Sequence, residues 1–287
     1  PTVIASVPLI MEKVYRSKVR PTFEKSALLR TLYGWSPTRK LLHKVAGKKL
    51  KALFGGRMRF FAIGGAKFDS EAERFLKEAG FPYGIGYGLT ETAPLLAGAV
   101  GKMVRVGSTG PALEGVELRL DNVNPSTGQG EIVAKTLCCM SGYYKNEEAT
   151  AQSFTEDGWL KTGDLGTMDE DGFIYIKGRC KTMLLGPSGQ NIYPEEIEAK
   201  INNMPYVLES LVLQKDDTKL VALVCPDFEA VDADKLTQAQ LEAVMEENRK
   251  LVNADLAAYE QINVMKLYTH EFEKTPKKSI KRFLYEA

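Results

Sequence analysis

The sequence predicts an α/β unit that passes into a β-rich stretch and is followed by a small α+β domain. Three observations carry this. Arg59 to Ile63 reads as a strand ending in Gly64-Gly65 and leading into an amphipathic helix over Ser70 to Ala79. After Gly84, short β-branched runs alternate with Gly, Asn, Pro and Asp turns. Beyond Gly178-Arg179 the pattern becomes helix, strand, strand, long helix. A length of 287 residues suits roughly two domains, expected here as 1–180 and 181–287.

The opening 1–55 reads as helical, with the chain beginning inside a helix. Val7 to Val19 is apolar with spaced basic residues, and Thr38 to Leu53 sets Lys40, Lys44, Lys48 and Lys51 on one face against Leu41, Leu42, Val45, Ala46 and Leu53 on the other. Eight Lys/Arg and no acid lie between Arg39 and Arg59. The reading preferred is a solvated helix face, with an anionic surface as the alternative. Ser70-Glu71-Ala72-Glu73 has the form of a capping box, with Ala72, Phe75, Leu76 and Ala79 inward and Gly80 as the stop. Phe173 to Ile176 follows an Asp171-Gly172 turn as a strand. Pro194 suits the first turn of a helix whose Glu195 and Glu196 meet its positive end, with Ile197, Ile201 and Met204 on one face. Strands follow at Ser210 to Gln214 and Leu220 to Cys225. Thr237 and Gln240 form a second capping box before a helix with the stripe Leu241, Val244, Met245, Leu251 and Val252.

Composition excludes several classes. Lys+Arg total 38 against 37 Asp+Glu, so a net charge of +1 provides no global field for nucleic acid or an acidic membrane. The four cysteines, Cys138, Cys139, Cys180 and Cys225, match neither zinc-ligand spacing nor a disulfide scaffold, which favours a reducing, cytoplasmic setting. No run of eighteen apolar residues and no signal peptide occurs. With only His43 and His270 and no GxSxG elbow, a serine hydrolase is disfavoured.

Three segments suit ligand chemistry. In Tyr83-Gly84-Ile85-Gly86-Tyr87-Gly88-Leu89-Thr90-Glu91-Thr92, alternating glycines let backbone run close to a flat ligand. Thr90 can donate to phosphate, and Glu91 offers a hard oxygen to a divalent cation. Taken alone the segment fits a tight turn equally well. It is neither a dinucleotide fingerprint nor a Walker loop. Asp164 in Trp159-Leu160-Lys161-Thr162-Gly163-Asp164-Leu165 is a two-oxygen acceptor suited to a ribose diol, or a turn Asp bonded to its own backbone. Asp169 and Asp171 invite a calcium-loop reading that fails, because Thr167 and Gly178 occupy the first and last ligand positions. Arg179 and Lys181 flank the change of pattern and are followed by Gly186-Pro187-Ser188-Gly189-Gln190-Asn191-Ile192-Tyr193-Pro194, a Gly-rich loop.

In their order, Gly-Tyr-Gly-Leu-Thr-Glu-Thr, then Gly130-Glu131-Ile132 with Gly142-Tyr143-Tyr144, then Thr162-Gly163-Asp164, then Gly178-Arg179, then Tyr193-Pro194-Glu195-Glu196-Ile197-Glu198 resemble the adenylate-forming superfamily of acyl-CoA synthetases, luciferases and adenylation domains. Gly186 to Pro194 and Val7 to Tyr15 look most like its long-chain fatty acid–CoA ligase branch.

The resemblance implies ATP, magnesium, a fatty acid and coenzyme A as ligands: ATP and acid give an acyl-adenylate and pyrophosphate, and the CoA thiol then displaces AMP. By similarity Gly64, Gly65, Ala66, Gly86 and Gly88 would line the adenine and Tyr87 would stack on it. Thr90 would contact phosphate, Glu91 would ligate magnesium and Asp164 would hold the ribose. Arg179 would approach ribose and phosphates, Lys181 would sit at the hinge of a small mobile domain, and the Gly186–Gly189 loop would face the thioester-forming site.

Two departures qualify this. The Gly-rich, Ser/Thr-rich phosphate loop of the family, with its Lys, does not occur in this sequence, nor does the half that carries the acyl pocket, so the chain is expected to be the C-terminal part of a longer ligase and incompetent alone. In Lys274-Thr275-Pro276-Lys277-Lys278-Ser279-Ile280, strict register places Ser279 where the adenylation lysine belongs and Lys278 one residue away. A nucleotide-binding relic without turnover, and acyl transfer to a carrier protein, are the alternative readings.

Overall fold

The computed structural model describes residues 1–24, 26–216, 218–275 and 279–286, Glu24 by its backbone alone. They form two compact units that divide between Ile176 and Lys177.

The first unit opens on strand β1 (Val3–Ser6), not a helix. Four residues are too few to show a period, but Val3 and Ile4 suit a pleated edge, and β1 lies parallel to β2 (Phe60–Gly64) with Val3 opposite Phe60. Helices α1 (Pro8–Val14), α2 (Arg20–Glu24), α3 (Ala27–Gly34) and α4 (Ser36–Leu53) intervene, with a π-helical stretch over Tyr15–Val19.

Helix α4 is rotated relative to its leucine pattern. Its buried residues are His43, Gly47 and Leu50, whereas Leu41, Val45 and Leu53 are exposed on the side that carries the lysines. The cause is its contact with α5 (Ser70–Ala79). A Cβ on Gly47 would stand 2.6 Å from the Ala79 Cβ, so the two helices meet at their smallest residues. Beside that contact Arg39 makes two hydrogen bonds to the Glu78 carboxylate at 2.8 and 3.1 Å, and His43 Nδ1 lies 2.8 Å from it. A close approach and a buried polar cluster, rather than leucine, set the helix's rotation.

Asp69, one residue before the expected Ser70, caps α5 by accepting from the Ala72 N–H at 2.8 Å, and Gly80 ends the helix at φ 66°. Glu73 therefore closes no capping box. It is 2% exposed, accepting from the Gly107 N–H at 2.7 Å. Strand β3 (Tyr83–Gly88) lies parallel to β2 and antiparallel to β4 (Leu95–Val100), giving the order β1-β2-β3-β4. Met11, Tyr15, Leu50, Phe61, Ile63, Phe75 and Leu76 fill the core between this sheet and the helices.

A second sheet runs β5 (Val116–Asp121), β6 (Gly130–Thr136), β7 (Leu160–Met168), β8 (Ile174–Arg179), with the short α6 (Glu147–Gln152) between β6 and β7. Tyr87, Leu96, Ala97, Ile132, Ala134 and Ile174 form its core with β3 and β4.

The second unit begins with a hairpin of β9 (Leu184–Leu185) and β10 (Asn191–Ile192), followed by α7 (Pro194–Ile201). Strands β11 (Val207–Lys215) and β12 (Lys219–Pro226) pair antiparallel, and after α8 (Phe228–Ala233) and α9 (Gln238–Ala254) strand β13 (Ile262–Leu267) joins β12 in parallel. The Thr237/Gln240 capping box forms as expected. Ile197, Ile201, Leu241, Met245 and Val252 cover one face of the sheet, while Leu211, Val221, Leu223, Cys225 and Phe272 pack on the other.

Arg282 fastens the chain's last turn. Its guanidinium grips the Glu198 carboxylate at 2.5 and 2.6 Å and donates to the Val212 carbonyl at 3.0 Å. Burial pushes the Glu198 carboxyl up, to about 7, against the pull of Arg282 and the Val212 N–H. Among the described residues no helix is long and apolar enough to cross a membrane.

Candidate active site

The first unit gathers its candidate residues at the carboxyl ends of two parallel strands, where open α/β sheets present backbone to ligands. Gly64 of β2 lies beside Gly86 of β3, and a Cβ on Gly64 would stand 2.8 Å from the Gly86 carbonyl oxygen. Gly65, at φ 90°, turns the chain away toward Ala66. The glycines of Tyr83–Gly88 therefore belong to a strand, not to a loop. Gly88 is required by close approach: a Cβ there would lie 1.8 Å from the Pro94 carbonyl oxygen.

Immediately after Gly88, Thr90–Thr92 makes one 3-10 turn. The buried Thr92 hydroxyl accepts from the Leu89 N–H at 3.2 Å and fixes that turn. Thr90 is exposed and Glu91 is half-buried. The Glu91 carbonyl accepts from the Met140 N–H at 2.7 Å, and its carboxylate accepts from the Tyr143 hydroxyl at 2.9 Å. That bond to Glu91, with a smaller contribution from burial, raises the Tyr143 phenol above its ordinary range. Ser141, Gly142, Tyr143, Tyr144, Glu147, Thr150 and Ala151 line a shallow cleft here. Tyr143 is a member of this constellation to which the sequence assigned no role, although the Gly142-Tyr143-Tyr144 triplet marked its place.

Asp164 arrives from β7. The β6–β7 register shifts between Glu131 and Val133, and Gly163, at φ 72°, donates its N–H to the Glu131 carboxylate at 3.2 Å. The buried Thr162 hydroxyl donates to the Ile132 carbonyl at 2.7 Å and accepts from the Asp164 N–H at 3.1 Å. These bonds aim the Asp164 carboxylate, itself only 4% exposed, at β3, where the Tyr87 hydroxyl donates to it at 2.7 Å. The Tyr87 ring is 7% exposed and packs against Leu96, Ala97 and Ile132. Two residues that the sequence picked out from separate motifs are thus directly bonded.

In the second unit Arg179 and Lys181 are both exposed. The Arg179 carbonyl accepts from the Thr182 and Met183 N–H groups at 3.2 and 3.1 Å, which makes the segment a tight turn. Gly186–Gln190 closes the β9–β10 hairpin: the Gly186 N–H donates to the Gln190 carbonyl at 2.8 Å and the Gly189 N–H to the Gly186 carbonyl at 2.9 Å. Gly186 is buried and Gly189 exposed. Ser279 is exposed, its carbonyl accepting from the Thr275 N–H at 2.8 Å. Lys278 lies outside the described residues.

Residues 1–144 match the family model for AMP-binding enzymes, and residues 182–287 match that of the AMP-binding enzyme C-terminal domain. The long-chain-fatty-acid–CoA ligase FadD15 of Mycobacterium bovis is 31% identical over 251 residues, covering 81% of this chain and 41% of that protein. The long-chain-fatty-acid–CoA ligase 4 of Saccharomyces cerevisiae is 29% identical over 244 residues, covering 79% of this chain and 35% of that protein. Among solved structures, ATP-bound MatB from Rhodopseudomonas palustris superposes with a TM-score of 0.68 at 26% identity, over 99% of this chain and 50% of that one. The chain thus spans about four-tenths of the length of these curated relatives and half that of the solved chain. The ordered motifs, the glycine-flanked strand ends and both family models agree: the chain belongs to the AMP-binding enzymes of the adenylate-forming superfamily.

Proposed function

We propose that this chain is part of an AMP-forming long-chain fatty acid–CoA ligase, with 1–180 belonging to its large domain and 181–287 forming its small lid. The observation that carries the reading is the Tyr87–Asp164 hydrogen bond, which brings an aromatic ring and a buried carboxylate together beside glycine backbone. That grouping suits a nucleoside, with Gly64, Gly65, Ala66, Gly86 and Gly88 offering flat backbone to the base. Tyr87 would present a ring edge or face to adenine, and Asp164 would accept from the ribose. Thr90 would donate to phosphate.

Glu91 fits magnesium by its chemistry. It is one half-buried carboxylate held by Tyr143, and among the described residues no group of three His, Cys, Asp or Glu is arranged to hold a metal. Such a donor suits a cation completed by phosphate oxygens. The bound cation would offset charge on the phosphates. In the reaction the fatty acid carboxylate attacks the α-phosphorus of ATP and pyrophosphate leaves, after which the CoA sulfur attacks the acyl carbon and AMP leaves. The residues of this chain orient and neutralise; none forms a bond to substrate. In the second unit Arg179 is assigned to ribose and phosphate, Lys181 to the pivot, Gly186 and Gly189 to the thioester step, and Lys278 to the charge that Ser279 lacks.

The relatives named for long-chain acids, FadD15 and yeast ligase 4, support the acyl class. The sequence contains no Gly-rich, Ser/Thr-rich phosphate loop, so adenylation by this chain unaided is not expected. The test is calorimetric titration with a non-hydrolysable long-chain acyl-adenylate analogue, beside Asp164→Ala. Binding that the substitution abolishes supports the assignment. Equal binding by both proteins refutes it.

A further inference from the structure

The exposed face of α4 suits a membrane surface, and this rests on geometry apart from the nucleotide site. Leu41, Val45 and Leu53 are 64%, 52% and 62% exposed, and Trp35 at the helix's N-terminal end is 65% exposed. At 3.6 residues per turn Leu41, Val45, Lys48 and Ala52 fall along one stripe, with Lys40, Lys44 and Lys51 on one flank and Lys49 on the other. The buried face is fully used by Gly47 against Ala79 and by His43 beside Glu78, so no rotation of the helix would hide the apolar stripe.

The charge is local. The chain carries a net +1, yet Arg39 to Arg59 holds eight Lys/Arg and no acid. Arg39 is spent on Glu78. Among the described residues Lys40, Lys44, Lys48, Lys49 and Lys51 have no carboxylate partner. A solvated helix face would show lysines alone, and a nucleic acid would be served by lysines alone. Apolar side chains interleaved with lysines match a bilayer interface, where headgroups meet the ammonium groups and the acyl boundary receives Leu41 and Val45.

We propose that α4 docks this protein onto anionic lipid bilayers, lying in the interface plane with Leu41, Val45 and Trp35 inserted among the headgroups. The experiment is sedimentation of the whole chain with vesicles of phosphatidylcholine alone, or with about one third phosphatidylserine. It is paired with tryptophan emission of a Trp159→Phe form, in which Trp35 is the only remaining tryptophan.

The expected result is binding to the anionic vesicles only, with a blue shift of Trp35 emission. Each lysine near an anionic surface contributes about 1 kcal/mol, or roughly fivefold. Lys40→Gln, Lys44→Gln and Lys48→Gln together should therefore weaken partitioning about 100-fold. Leu41→Ser with Val45→Ser should keep salt-sensitive attraction but lose the blue shift. All five side chains are exposed, so the variants should unfold as the parent does. Absence of binding, equal binding to neutral vesicles, or equal binding to a single-stranded oligonucleotide without the apolar pair's contribution would each overturn the proposal.

Discussion

Glu73→Gln isolates one proton and turns it into a stability measurement. Glu73 is 2% exposed, and burial pushes its carboxyl up, to about 7, even though the Gly107 N–H and the Tyr83 hydroxyl favour the charged form. An exposed glutamate titrates at 4.5. Between those pH values the folded protein keeps a proton that the unfolded chain releases. Stability must therefore fall as pH rises through this window, and the loss is complete above about pH 7. At about 1.36 kcal/mol per pH unit, the shift corresponds to roughly 3 kcal/mol. Glutamine keeps an oxygen for the Gly107 N–H and does not titrate, so the variant should match the parent near pH 4.5 and exceed it by up to ~3 kcal/mol at pH 8. Both tryptophans, Trp35 and Trp159, lie in the first unit, so urea unfolding followed by tryptophan emission reads that unit by itself. A difference between the two proteins that does not change with pH would refute the reasoning.

Three further outcomes follow from described contacts. Gly88→Ala drives a Cβ to within 1.8 Å of the Pro94 carbonyl oxygen, a backbone atom that no rotamer change can move. It should cost about 3 kcal/mol or more by tryptophan-monitored unfolding and should displace the Thr90–Thr92 turn. Tyr87→Phe removes a donor from a carboxylate that is 4% exposed, so a loss of about 1–3 kcal/mol and weaker binding of an acyl-adenylate analogue are expected. Arg282→Leu leaves the buried Glu198 carboxylate without its guanidinium. The second unit should lose about 3–5 kcal/mol at neutral pH, recovering part of it as pH falls and Glu198 takes a proton, while tryptophan emission stays unchanged. Near-UV circular dichroism of the Tyr268, Phe272 and Tyr285 cluster would follow it.

What the sequence disclosed was local. The Thr237/Gln240 box, Pro194 opening α7 and the Asp171-Gly172 turn are each decided by a few neighbouring residues, and each appears in the structure. The rotation of α4 was not legible, because it depends on Gly47 meeting Ala79 across a helix pair. Neither was Asp69 as the cap in place of Ser70, since both residues are good caps and only packing chooses between them. In the candidate site the motifs gave residue types in order, but the bonds from Tyr87 to Asp164 and from Tyr143 to Glu91 join distant stretches. Strand β1 was missed because a parallel edge strand is defined by a partner that lies far along the chain.

That last feature matters during synthesis. The partner of Val3 is Phe60, whereas Lys215 pairs with Lys219. At ribosomal rates of about 5–20 residues per second, β1 waits roughly 3–11 s for β2 to be made, while the β11–β12 hairpin has its partner almost at once. Throughout that interval the backbone donors and acceptors of Val3–Ser6 have no sheet to join. The nascent first unit is therefore the stage at which this chain most needs a chaperone, and a growing helix α4 is the first element able to shield what β1 leaves open.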